Sequence, residues 1–162
     1  FGLNNGMVPI ISYNYGADRP QRVWKTVRLF TITAMVIMVL GFAIFQLFPS
    51  TLLGLFDASE TMLAIGVPAL RIISVSFLLA GFCIIAVSVF QAIGNPVYSL
   101  IVSVCRQMVV LLPVAWLLSR TGRLELVWWA FPIAEVMSFT LSTIFLRRTV
   151  KSANEVMNSS AD

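Results

Sequence analysis

Two long apolar runs, separated by a three-residue turn, dominate the pattern of hydrophobic and polar positions in this chain. The first run extends over Val67–Ile93 and the second over Val97–Leu118. Each exceeds the ~20 residues that an α-helix needs to cross a ~30 Å hydrocarbon layer. Between them, Gly94 suits the end of a helix, whereas Asn95 and Pro96 suit the start of the next one. The pattern therefore predicts two antiparallel transmembrane helices that are close neighbours.

Similar apolar runs on either side of this hairpin predict two further spans. One covers Leu29–Phe48 and the other covers about Trp128–Leu146, so residues 29–146 are expected to form four complete transmembrane helices. Residues 1–16 are largely apolar and do not begin with Met. We interpret them as the end of a fifth transmembrane helix whose start lies in a missing N-terminal part. The predicted fold class is all-α integral membrane: a bundle of four complete helices plus the end of a fifth.

Composition supports a membrane protein. Hydrophobic residues make up 59% of the chain, charged residues only 11%, and the mean hydropathy is +0.92. A soluble domain carries about a quarter charged residues, and its surface helices are amphipathic rather than apolar on all sides. The alternation typical of membrane β-barrel strands is absent from these runs. The lipid bilayer is therefore the first expected partner.

The charged residues indicate how the chain is oriented. Residues 17–28 are expected to form a cytoplasmic basic loop and residues 147–162 a cytoplasmic, disordered tail, with the Gly94–Pro96 turn on the same side. The opposite side carries Arg71, Arg120 and Arg123. Since basic residues concentrate at the ends of spans, the net charge of +4 favours membrane orientation over nucleic-acid binding. The seven basic residues of the expected cytoplasmic side are Arg19, Arg22, Lys25, Arg28, Arg147, Arg148 and Lys151.

Several kinds of chemistry are missing from the sequence. There is no His, and the only two cysteines, Cys83 and Cys105, fall inside apolar runs, so we expect free thiols and no metal site. No G-x-x-x-x-G-K-[ST] phosphate loop occurs. With no catalytic constellation and no sequence feature that would hold a cofactor, we do not expect an enzyme.

Two charges remain at membrane depth, Arg106 and Glu135. Counting ~1.5 Å per residue from the ends of their spans places Arg106 ~14 Å and Glu135 ~18 Å above the inner boundary. Because the depths agree within about one helical turn, we predict that the two side chains face each other or share a polar pocket. Such a pair either holds two helices in register or has a functional role, since ionisable groups at this depth are costly.

Four stretches together resemble the multidrug and toxic compound extrusion (MATE) family of transporters. They are Gly6–Gly16 (GMVPIISYNYG) ahead of basic residues, Phe90–Pro96 (FQAIGNP), Arg106 within the following span, and Trp129–Glu135 (WAFPIAE). The resemblance implies a two-lobe transporter of twelve helices, of which this chain would supply the end of helix 8 and helices 9–12 of the C-terminal lobe. The missing N-terminal lobe is then a partner within the same protein.

The resemblance also implies an activity. Such a protein is an antiporter that exports cationic or amphipathic compounds in exchange for Na⁺ or H⁺, with small organic molecules as its substrates. In one branch of the family helix 10 carries a coupling acid, but the corresponding run Val67–Ile93 has none. The coupling acid is then expected in the missing part or, unusually, at Glu135. We expect the protein in the plasma membrane, here a bacterial inner membrane.

A cavity for varied organic compounds needs adaptable apolar and aromatic walls with a few polar groups. Several residues are candidates for the substrate path, although helix packing is the competing role for each of them. These candidates are Asn4, Asn5, Phe77, Phe82, Ser88, Phe90 and Met108. The prolines Pro113 and Pro132 are candidate bends within the helices that carry the two buried charges.

Two other functions are compatible with a membrane bundle. A flippase for lipid-linked saccharides has a similar two-lobe fold, but it requires several basic residues facing its cavity, and only Arg106 lies deep in a span. A non-transporting membrane subunit, or an intramembrane enzyme, represents a different class. The enzyme is disfavoured by the missing catalytic groups, whereas the subunit stays an open alternative.

Overall fold

The computed structural model describes the backbone of residues 2–159 and the side chains of residues 2–157, and the regular secondary structure of this part of the chain is all helical. The order of elements is α1 (Gly2–Gly16), α2 (Pro20–Leu47), α3 (Pro49–Gly54), α4 (Glu60–Ser74), α5 (Phe77–Ala92), α6 (Pro96–Val104), a π-helical segment (Cys105–Leu111), α7 (Leu112–Ser119), α8 (Leu124–Val127) and α9 (Ala130–Ser159).

Three stretches are long and apolar enough to cross a membrane: Pro20–Leu47, Pro96–Ser119 and Leu124–Met157. The pair α4 and α5 meets the same standard when it is taken as one bent span. An all-helical bundle with helices suited to a membrane is thus confirmed, with three candidate spans, or four if the bent pair is taken as one. Because the runs are apolar on all sides, their outer faces expose many large hydrophobic side chains, as expected for lipid contact.

Helix α5 lies at the centre of the bundle and packs against α1, α2, α6 and α9. One core cluster joins Met7, Val23, Val89 and Met157, which come from α1, α2, α5 and α9. The core therefore combines residues from both ends of the sequence.

The predicted loop over residues 17–28 is wrong. Only Ala17–Arg19 separate α1 from α2, and Asp18 makes the turn with a positive φ of 50°. Pro20 occupies the first position of α2, where no N–H is needed. No further proline follows before Leu47, and Gly41 is accommodated within the helix. The basic residues from Arg22 to Arg28 therefore lie on the first turns of a long helix.

The hairpin turn at Gly94–Pro96 is confirmed. Gly94 adopts a positive φ of 86° and ends the helix, and the N–H of Asn95 donates to the carbonyl of Phe90 at 2.8 Å. Pro96 begins α6. Asn95 occupies the N-cap position of α6, but its side chain makes no capping hydrogen bond.

The predicted single helix over Val67–Ile93 is broken, because α4 and α5 meet at an angle of 53°. The break has a local cause in two serines. The hydroxyl of Ser74 donates to the carbonyl of Arg71, and the hydroxyl of Ser76 donates to the carbonyl of Ile73. Side-chain bonds of this kind compete with the helical ladder. Gln46 of α2 stabilises the break by donating to the Arg71 carbonyl at 2.8 Å and to the Ser74 hydroxyl.

The span after the hairpin is continuous but contains a π-helical segment, Cys105–Leu111, between α6 and α7. Pro113 follows two residues later. In an α-helix its ring would clash with the carbonyl of Val109, and we attribute the wider turns before it to this conflict. Pro132, the other candidate bend, lies in the first turn of α9, where proline removes no helical hydrogen bond.

The predicted disordered tail is wrong for its described part. Helix α9 continues to Ser159, while residues 160–162 lie outside the described residues. The indole N–H of Trp24 donates to the Asn154 side chain at 2.8 Å, and Ala153 and Met157 are buried in the core. Since Ala153 and Met157 are four residues apart, they form one helical face. Burial of that face stabilises the helix in this polar segment.

The two ends of the bundle differ in charge. Trp24 contacts Asn154, and the hydroxyl of Ser12 donates to the Ala92 carbonyl at 2.9 Å. These contacts bring the start of α2, the end of α9 and the Gly94–Pro96 turn to one end, together with all seven basic residues assigned to the cytoplasmic side. Arg71 lies at the other end, where Gln46 contacts it.

Candidate functional site

The two charges at membrane depth lie together, as the sequence predicts. Nη1 of Arg106 is 3.5 Å from Oε2 of Glu135. Arg106 is the second residue of the π-helical segment, and Glu135 lies in the second turn of α9. The Glu135 side chain is 8% exposed, whereas that of Arg106 is 42% exposed. The carboxylate is therefore fixed inside the bundle, and the guanidinium reaches it from a more open position.

The surroundings of Glu135 are polar on one side. Cys83 of α5 and Ser138 of α9 lie beside the carboxylate. Its second oxygen, Oε1, is buried and has no hydrogen-bond partner within residues 2–157. Burying an ionised carboxylate is unfavourable unless it is paired and hydrogen-bonded. Arg106 supplies the pairing charge, but the hydrogen-bonding capacity of Glu135 is only partly used.

A cavity of about 460 Å³ opens on one side of the ion pair. Its walls come from five parts of the chain: α2, the break between α4 and α5, α5 itself, the π-helical segment and α9. Most of the lining is apolar, while Arg106, Gln107 and Glu135 supply the strongly polar groups. An apolar cavity with a few convergent polar groups is the usual form of a small-molecule site. The apolar lining includes Met38, Ile73, Phe77, Ile84, Leu111 and Phe131.

A second cavity of about 150 Å³ also borders Arg106. Polar side chains of four elements lie on its wall, namely Asn4, Ser88, Arg106 and Ser138, together with Cys83. Apolar side chains, Ile84, Val87 and Val102, complete the wall. Arg106 thus borders both the larger cavity and the smaller one.

A further cavity of about 330 Å³ lies at the opposite end of the bundle from the basic residues, between α4 and α8. Its charged residues, Arg123 and Glu125, are exposed. Exposed charges need no special partner. This cavity is therefore a weaker candidate for a functional site than the two cavities near Glu135.

The predicted substrate-path residues fall into three groups. Phe77 lines the larger cavity, and Asn4 and Ser88 line the smaller one. Phe82 and Phe90 pack against other aromatic rings instead, at centroid distances of 5.0 Å to Phe139 and 5.8 Å to Tyr98. Asn5 and Met108 are exposed and line neither cavity, with Met108 65% exposed.

Sequence reasoning missed Cys83, Ser138 and Phe131 as members of the site. A signal for Ser138 was present in the spacing of polar residues along the last span. Glu135, Ser138 and Ser142 follow at intervals of three and four residues, the repeat of one helical face, and all three are buried. Nothing comparable marks Cys83 or Phe131, which lie within uniformly apolar runs.

Sequence comparisons give a consistent picture. The MatE family profile matches residues 1–117. The chain is 26% identical over 136 residues to a multidrug export protein MepA of Staphylococcus saprophyticus and 25% identical over 136 residues to MepA of Staphylococcus haemolyticus. Each match covers 84% of this chain but 30% of the relative, so the chain spans less than a third of these relatives.

Solved structures show the same fold. One is described as the inward-facing conformation of a multidrug resistance MATE family transporter of the MOP superfamily. It matches 96% of this chain and 36% of its own with a TM-score of 0.86 at 20% identity. An outward-facing conformation of such a transporter matches 94% of this chain and 34% of its own, with a TM-score of 0.84 at 21% identity.

Proposed function

The chain belongs to the MatE family of membrane transporters, and on this basis we propose that it forms part of a secondary multidrug exporter. The exporter would move cationic or amphipathic compounds out of the cell in exchange for Na⁺ or H⁺. The observation that carries the proposal is the Arg106–Glu135 pair at the wall of the 460 Å³ cavity. Buried ionisable groups are retained in membranes mainly where they serve transport.

The walls of this cavity suit varied substrates. Met38 is flexible and polarizable, and Phe77 and Phe131 offer aromatic faces. Such surfaces repack around ligands of different shape. The carboxylate of Glu135 supplies a negative charge at the wall, which favours compounds that carry a positive charge.

We further propose that this part of the protein moves as one body during transport. It resembles the inward-facing and the outward-facing neighbours almost equally, with TM-scores of 0.86 and 0.84. A lobe that deformed strongly between the two states would match one of them clearly better. The similarity supports alternating access by rocking of two lobes about a central site, with an N-terminal lobe of the same protein as the partner.

In this proposal α4 and α5 form one bent span, so four complete spans and the end of a fifth make up the chain within a two-lobe protein of twelve helices. The basic end, including the Gly94–Pro96 turn, would face the cytoplasm of a bacterial cell, because basic residues concentrate on the inner side. A cysteine placed at Asn95, in a variant without Cys83 and Cys105, tests this orientation. An impermeant thiol reagent should label it only after the membrane is opened, and labelling in intact cells would overturn the orientation.

Transport itself is tested in everted membrane vesicles that contain the complete protein. A fluorescent organic cation should accumulate when a proton or sodium gradient is applied, and comparing the two gradients identifies the coupling ion. We expect the Glu135→Gln variant to lose most of this accumulation. The matched control is Glu125→Gln, which makes the same change at an exposed position of α8 and should transport like the parent.

Removing both charges separates coupling from folding. If Glu135 carries the coupling ion, the Arg106→Met/Glu135→Gln variant should fold but not transport. Full recovery of transport in the double variant would contradict the coupling role and leave the pair with a structural one. Absence of transport by the parent under both gradients would overturn the exporter.

A further inference from the structure

The smaller cavity beside Arg106 contains more hydrogen-bonding groups than the protein satisfies. Its lining includes the amide of Asn4 and the hydroxyls of Ser88 and Ser138. The hydroxyl of Ser88 donates to the carbonyl of Ile84 at 2.8 Å. The Asn4 oxygen Oδ1 is buried and has no hydrogen-bond partner within residues 2–157.

Two neighbouring groups share this condition. Oε1 of Glu135 and the hydroxyl of Ser142 are also buried without a partner in the described part of the chain. Ser142 is fully buried and lies one turn beyond Ser138 on the same face of α9. Leaving a buried polar group unsatisfied costs about 1–3 kcal/mol. The buried Asn4 oxygen on the cavity wall, together with these two groups on α9, points to a ligand that can donate and accept hydrogen bonds.

The charges around the cavity restrict which ligand fits. Arg106 lines the cavity, but its charge is largely offset by Glu135 at 3.5 Å, so the cavity favours neither a cation nor an anion and suits a neutral polar molecule. The cavity volume of about 150 Å³ compares with ~30 Å³ per molecule in liquid water. It has room for about five waters, each of which needs two to four polar partners.

We propose that the cavity lined by Asn4, Ser88, Arg106 and Ser138 is a water-binding site inside the transmembrane bundle. Its waters donate to the Asn4 oxygen and reach the Glu135 carboxylate past Cys83 and Ser138. This inference goes beyond the proposed export activity, because it holds whether or not Glu135 carries a coupling ion.

Arg106 borders the smaller cavity and also the larger one. Water in the smaller cavity therefore reaches the ion pair from a space other than the one proposed for organic compounds. A proton delivered by a hydronium ion in the smaller cavity would move to the carboxylate and leave a water molecule behind. Among the described residues, the charged group beside Glu135 is Arg106, and the titratable group beside it is the thiol of Cys83.

Cys83 provides the test, because it lines the cavity and its thiol hydrogen exchanges only where water arrives. We would replace every other cysteine of the protein by alanine, purify it in lipid nanodiscs and transfer it to D₂O. Infrared spectroscopy then follows the loss of the S–H stretching band. The site predicts exchange of Cys83 under conditions in which the helical backbone of the spans stays protected.

A matched pair of double variants identifies the route of the water. Ser88→Val/Ser138→Val removes two hydroxyls from the cavity wall and should slow Cys83 exchange about tenfold, because the waters lose hydrogen-bond partners. Ser103→Val/Thr140→Val makes comparable changes at exposed positions of α6 and α9 and should leave the rate unchanged. If the serine variant does not fold, Asn4→Leu replaces it.

Each outcome of these exchange measurements either supports or overturns the water site. Exchange that is slowed only by the cavity variants supports the water site. A thiol that does not exchange in the parent protein, or exchange slowed equally by both double variants, overturns it. A rate that changes with the sodium concentration would assign the cavity to a cation instead. None of these readouts requires transport, so failure of the water site is distinguishable from failure of the exporter.

Discussion

Helices α2 and α9 are the two longest helices in the described part of the chain, and they differ in the side chains that they bury. Helix α2 has 28 residues and buries only Val23 and Ala34. Helix α9 has 30 residues and buries a row of polar side chains that includes Glu135, Ser138, Ser142 and Thr149. Both are apolar enough to span a membrane, so hydropathy alone does not distinguish them.

The difference shows where information about function lies in such a chain. In a lipid environment apolar residues fit both the outer and the inner face of a helix, and their positions say little about orientation. Polar residues at membrane depth are tolerated only on the inner face or around a cavity. Their periodicity therefore identifies α9 as a helix that turns a polar face inward, whereas α2 buries only Val23 and Ala34 in the described part of the chain.

The largest expected loss of stability comes from breaking the ion pair between Arg106 and Glu135 of α9. Arg106→Met leaves the carboxylate of Glu135 buried without its partner and should destabilise the protein by about 3 kcal/mol. Thermal unfolding in detergent measures the loss. The double variant with Glu135→Gln should regain most of it, since no uncompensated charge remains. Arg123→Met, at an exposed site, is the control. An equal loss of stability there would show that the ion pair stabilises the protein no more than an exposed charge does.

The inner face of α9 can also be compared directly with the outer face of α2. Ser142→Leu inserts a large side chain at a fully buried position and should cost about 2 kcal/mol through overpacking. Val36→Leu, on the exposed side of α2, should change stability by less than about 0.5 kcal/mol. Equal unfolding temperatures for the two variants would contradict the assignment of inner and outer faces.

Helix α2 packs tightly against the central helix α5 at Gly81. A Cβ added there would lie 3.1 Å from Met38 Cγ and 3.2 Å from Met35 Sδ. Gly81→Ala should therefore destabilise by about 1 kcal/mol, less than full overpacking because methionine side chains adapt. The control is Gly41→Ala on α2 itself, where the nearest atom, in Phe77, is 3.6 Å away. A stabilised Gly81→Ala variant would show that the helices are less tightly packed.

The smallest effect concerns the side-chain hydrogen bond between Trp24 of α2 and Asn154 of α9. Asn154→Ala removes the acceptor of the Trp24 indole and should cost about 0.5–1 kcal/mol. Hydrogen exchange of the backbone around Ala153 should become faster, because this bond ties the end of α9 to α2. Ser152→Ala, an exposed neighbour, should leave the exchange rates as they are.

Much of this arrangement follows from the sequence. Gly94 and Pro96 fix the hairpin through local backbone preferences, and counting residues from the span ends was enough to bring Arg106 and Glu135 to one depth. Both inferences rest on properties of single residues and on the constant rise of a helix. The membership of Phe77, Asn4 and Ser88 in cavity walls was anticipated from residue type.

The misses share a physical origin in contacts between distant segments. The break before Phe77 has a local cause in Ser74 and Ser76, but it is stabilised by Gln46, which is 25 residues away from Arg71 in sequence. The helical end of α9 depends on Trp24, which is 130 residues from Asn154. Phe82 and Phe90 have the residue type of a cavity wall, but neighbouring rings of Phe139 and Tyr98 occupy their surroundings. No local pattern reveals such partners.

The π-helical segment Cys105–Leu111 has a consequence for how this part of the protein changes in evolution. Deleting one residue within it, Val109 for example, would let the wide turn narrow to an α-helical one, so that both Arg106 and α7 would keep nearly their present directions. Trp116, whose ring lies 4.4 Å from the Arg120 guanidinium, would keep this contact. A one-residue length difference between relatives inside this span is therefore absorbed by the π-helical segment, and an alignment that moves the gap into the following loop misplaces every residue from Leu112 to Ser119.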